Sequence, residues 1–155
     1  MHGSKLKSVL EELGFGNVQT LLSSGNVLFE TDSQDVTAME SRIEEAWPVK
    51  LGFNSTTIIR SQAQLQALVE CDPYEGAEHN RQSYLLVTFF KRRPAGLKEN
   101  YYEVKGVNAL CSVIDTTAAK TPDFMAKLER QFGKDITSRT WNTVLRVLKK
   151  MDLER

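Results

Sequence analysis

At 155 residues, of which 41% are hydrophobic, the chain has enough apolar material for one compact domain or two small packed subdomains. Lys plus Arg (20) balance Asp plus Glu (20), so no global charge draws the chain to nucleic acid or an anionic membrane, and any basic site must be local. No apolar run approaches bilayer length and Met1 to Leu10 lacks a signal peptide's apolar core, so the sequence reads as soluble and cytoplasmic, with no membrane partner. Cys71 and Cys111 stand far apart and read as two reduced thiols, buried or half-buried, rather than a disulfide framework.

Leu6, Val9, Leu10 and Leu13 repeat at helical spacing ahead of Gly14, which predicts a helix over 4–13 with a left-handed stop. Residues 17–22 and 27–31 flank Gly25-Asn26, a pair suited to the tight turn of an antiparallel hairpin. Val36, Met39, Ile43 and Trp47 stripe a second helix that Pro48 and Gly52 end or kink, and Thr56 to Arg60 reads as a strand. Ser61-Gln62-Ala63-Gln64 is a capping box opening a helix that carries Leu65, Leu68 and Val69 and stops at Cys71-Asp72-Pro73.

Tyr84 to Phe90 is apolar on both faces and predicts a central strand, closed by Lys91-Arg92-Arg93-Pro94. Tyr101 to Val104 and Ala109 to Ile114 predict further strands, and Phe124, Leu128 and Phe132 a helix ending at Gly133. Trp141, Val144, Leu145, Leu148 and Met151 stripe the last helix. This order argues for α+β subdomains, with the boundary in the polar stretch Asp72 to Arg81.

Two segments carry the candidate sites. Around Ser24, Gly25 and Asn26, the plain reading is a turn, since Gly and Asn tolerate positive φ; the functional one is a cluster of hydroxyl, amide and backbone donors facing a small polar ligand. In Ser138-Arg139-Thr140-Trp141-Asn142-Thr143, Ser138 or Thr140 caps the last helix and Trp141 packs, largely buried, into the subdomain seam. The same segment joins a helix N-terminus, the forked cation of Arg139 and the amide of Asn142, which suits phosphate or carboxylate. Lys91-Arg92-Arg93 beside an aromatic strand invites a nucleic-acid reading, but a solvated basic turn explains it better in a neutral chain. His79 reads as an exposed loop residue, and no Cys/His cluster near it suggests a metal.

Leu10-Glu11-Glu12-Leu13-Gly14-Phe15, Ser24-Gly25-Asn26-Val27, Gly52-Phe53 before a strand, Val87-Thr88-Phe89 and Arg139-Thr140-Trp141-Asn142-Thr143-Val144 occur in an order that resembles the bacterial family called domain of unknown function 1697. The resemblance spans almost the whole chain. It implies two ferredoxin-like α/β-sandwich subdomains with antiparallel or mixed sheets, here 1–75 and 76–155, and implies no activity. Members commonly have Gln at the position of Ser23 and Asn at that of Thr140, so contacts through those amides do not carry over. Members also start with a strand and a Gly-rich loop, whereas this chain begins almost at the first helix. The expectation is therefore a truncated chain, or a gap filled by another segment or by a second copy in a homodimer.

The sequence reading is thus a cytoplasmic α+β protein that binds a small anionic or polar ligand through Ser24, Gly25, Asn26, Arg139 and Asn142, with no cofactor and no metal. The alternatives are an interaction or dimerisation module and, further off, a nucleic-acid-binding protein or an enzyme. For catalysis the only players are Ser23 or Ser24 with His79, on distant elements, so no catalytic residue is assigned.

Overall fold

The structure, a computed structural model, describes residues 3–21, 26–33, 35–52, 55–94, 99–117 and 121–153. It is an α+β protein of two compact units, Met1–Ile59 and Arg60–Arg155.

In the first unit, helix α1 (Gly3–Glu12) buries Leu6, Val9 and Leu10 at the spacing read from the sequence. Its end is a Schellman motif: Phe15 N–H donates to the Leu10 carbonyl at 3.2 Å and Gly14 N–H to that of Glu11 at 3.0 Å. Gly14 has φ +95, a left-handed conformation that side chains disfavour. The chain then enters the antiparallel pair β1 (Gly16–Leu21) and β2 (Asn26–Glu30), whose register shifts between Gly16 and Gln19. Helix α2 (Val36–Leu51) is capped by the Asp35 carboxylate, which accepts from Ala38 N–H at 3.0 Å. Pro48 lies inside this helix, and Gly52 at φ +76 ends it. Phe15, Val18, Met39, Ile43 and Trp47 join the α1 residues in one core.

The expected strand at Thr56 to Arg60 is not formed; residues 55–60 are irregular. Side chains of α2 do what a neighbouring strand would have done. Glu40, Glu44 and Trp47 recur along one face of the helix; the Glu40 carboxylate accepts from Ile59 N–H at 2.9 Å and that of Glu44 from Thr57 N–H at 3.4 Å. The Trp47 indole donates to Thr57 Oγ1 at 3.0 Å.

In the second unit the capping box is present as read, with both reciprocal bonds between Ser61 and Gln64, at the head of α3 (Gln62–Glu70). Strand β3 (Ser83–Phe90) is central and buried from Leu85 to Phe90. With β4 (Tyr101–Tyr102), β5 (Ala109–Asp115) and β6 (Ile136–Thr140) it forms an antiparallel sheet in the order β4-β5-β3-β6. The strand expected over 101–104 is cut to two residues because a 3-10 turn follows at Val104–Gly106, with Lys105 at φ +51. Helix α4 (Thr121–Phe132) precedes β6, and α5 (Trp141–Leu153) follows it directly.

Phe90 and Leu110 on one sheet face meet Leu128 of α4, with Tyr101, Phe124, Phe132 and Ile136 around them. Helix α5 packs on β3 and against α3, so α3 belongs to this unit and the division falls at Ile59/Arg60, upstream of the polar stretch 72–81. Arg60 is anchored in its own unit: Nε donates to the Val107 carbonyl and Nη2 to that of Phe90, each at 2.6 Å, with the guanidinium 5.7 Å from the Phe89 ring centre. From α3 the elements of this unit run helix, strand, strand, strand, helix, strand, helix among the described residues. No helix of the described residues is long and apolar enough to cross a membrane.

Candidate functional site

The corner between β6 and α5 carries the candidate residues of the second unit. Alternation along β6 splits its side chains between the two sheet faces. The Ser138 hydroxyl lies 2.8 Å from that of Thr88, a residue with no exposed surface, so this pair satisfies two buried or half-buried hydroxyls. Thr137 and Arg139 share the other face, where Arg139 Nη1 donates to Thr137 Oγ1 at 2.8 Å and to the Ser138 carbonyl at 2.8 Å. The guanidinium is half-buried, and that burial pushes its pKa down from the ordinary value.

Thr140, the last strand residue, turns the chain into the helix. Its Oγ1 accepts from Thr143 N–H at 3.3 Å and lies 3.0 Å from Thr143 Oγ1, so of the two expected caps Thr140 is the one used. Asn142, second in the helix, is exposed. A half-buried cation, a helix start with backbone N–H groups and an exposed amide thus follow one another along four residues.

Trp141 departs from expectation: it is half-buried, because it is the first residue of its helix, and one side meets the Tyr74 ring edge-on at 5.1 Å. Trp141→Ala should accordingly cost about 2 kcal/mol, below the roughly 3–5 kcal/mol of a fully buried aromatic. Urea denaturation checks this, and a loss above about 4 kcal/mol would contradict half-burial.

Asn26 is in the first unit, where it opens β2 and its Nδ2 donates to the Leu21 carbonyl at 3.1 Å across the hairpin. Its amide thereby ties the start of β2 to the end of β1. Ser24 and Gly25, with Ser23, lie outside the described residues. His79 is half-buried rather than exposed: Nδ1 accepts from Leu85 N–H at 3.1 Å, and the ring stacks on Tyr84 at 4.7 Å. This bond gives the residue a loop-anchoring role. In the basic turn after β3, Arg93 pairs with Glu103 at 2.6 Å, both largely exposed.

Cys111 is buried as expected, and desolvation pushes its thiol up to about 12. Cys71 is exposed, contrary to expectation, because it caps the C-terminal end of α3. One thiol per chain should therefore react with a disulfide reagent in the folded protein and a second only after denaturation. Prompt reaction of both would contradict the burial of Cys111. The raised pKa also has a sign. From its ordinary value of 9.0 up to about 12 the unfolded thiol releases a proton that the folded one keeps, so the stability contributed by Cys111 is whole below that window and is lost across it.

Sequence reasoning missed Thr137, the partner that steadies Arg139. The signal is present in the period-two alternation of Thr137 and Arg139, but the same residues also fit the approach to a helix cap, and that reading hides the strand.

The elements and the corner define an α+β protein of two units with a polar strand-to-helix junction. The family model described as "Protein of unknown function (DUF1697)" matches residues 1–109, and the chain belongs to this family. The match includes Leu10 to Phe15, Gly52-Phe53 and Val87 to Phe89, whereas the β6–α5 corner lies beyond it. No curated protein and no solved structure matches the chain.

Proposed function

We propose that the protein binds a small anionic ligand, a phosphate or a carboxylate, at the β6–α5 corner through Arg139, Asn142 and the first backbone N–H groups of α5. The observation that carries this reading is the guanidinium held on Thr137 and Ser138 immediately before the helix start. A cation already fixed by hydrogen bonds loses little freedom when an anion arrives, and the helix end adds partial positive charge. Asn142 contributes an amide from the first turn. At the basic turn, Lys91 to Arg93, the Arg93 guanidinium is already paired with the Glu103 carboxylate, which competes with an incoming anion.

The test is a thermal-shift screen against inorganic phosphate, sugar phosphates and carboxylates, followed by calorimetry on the wild type and Arg139→Lys with whichever anion emerges. The lysine keeps the charge and loses the fork, so binding should weaken about ten-fold, roughly 1.4 kcal/mol. Equal affinities would overturn the reading.

A further inference from the structure

We draw no further inference here: the strongest candidate, the open groove of about 390 Å3 between α1 and the last turn of α2, lined by Lys5, Ser8, Val9, Glu12, Lys50 and Leu51, carries nothing, because its Lys50 is already paired with Glu12 at 2.9 Å and nothing in the structure shows what covers it.

Discussion

Replacing Phe90 by alanine is expected to destabilise the protein by about 3–5 kcal/mol, a larger loss than at Trp141 or Glu40. Phe90 is 2% exposed, and its ring meets those of Tyr101 at 5.7 Å and Phe132 at 5.2 Å, both edge-on. Truncation removes the transfer energy of the ring and leaves a cavity between β3 and α4 that the flanking strands cannot close. Val113 on β5 is the control. It is 56% exposed, and Val113→Ala should stay within about 0.5 kcal/mol of the wild type. Urea denaturation of both variants decides the matter; equal small losses would contradict the two-faced burial of β3.

The second large effect is expected at Glu40. The residue is 5% exposed, and its carboxylate accepts the Ile59 N–H, so Glu40→Ala would leave the donor of a half-buried residue without that acceptor and remove a buried side chain from α2. The expected cost is about 1–3 kcal/mol. Glu40→Gln keeps a carbonyl oxygen in the same place and should recover most of the loss, a difference that simple loss of volume would not produce. Hydrogen exchange offers a second readout: the Ile59 amide should lose protection in Glu40→Ala and retain it in Glu40→Gln. Unchanged exchange in both variants would show that α2 does not hold segment 55–60.

That segment shows where sequence reading stops. Thr56, Thr57, Ile58 and Ile59 are consecutive β-branched residues, and local propensity assigns them to a strand. Their N–H groups at Thr57 and Ile59 are instead taken by two carboxylates of α2, a solution that depends on side chains 13 and 19 residues away and leaves no local trace. The legible features have short-range causes: the α1 stripe with its glycine stop, the capping box at Ser61, and the two-faced apolar run of β3.

Strand β6 escapes sequence reading for the opposite reason. Its hydroxyl-rich sequence reads as a helix approach, yet the β3 edge recruits it, with Leu86↔Thr140 through Phe90↔Ile136 in register. Arg139 and Asn142 are identifiable by residue type and by proximity to a helix start. The Thr137 hydroxyl and the Ser138 carbonyl that hold Arg139 are set in place by the strand. At Trp141, the apolar stripe indicates which side of α5 faces inward but not how much of the first residue that side covers.

The proposal that the β6–α5 corner holds a small anion is tested most directly by following the backbone amide resonances of the intact chain during titration with inorganic phosphate. Saturable shifts are expected at Trp141 and Asn142, reaching half-saturation at about ten-fold higher phosphate in Arg139→Lys. Shifts centred on Lys91 to Arg93, or none at the start of α5 up to millimolar phosphate, would contradict the account.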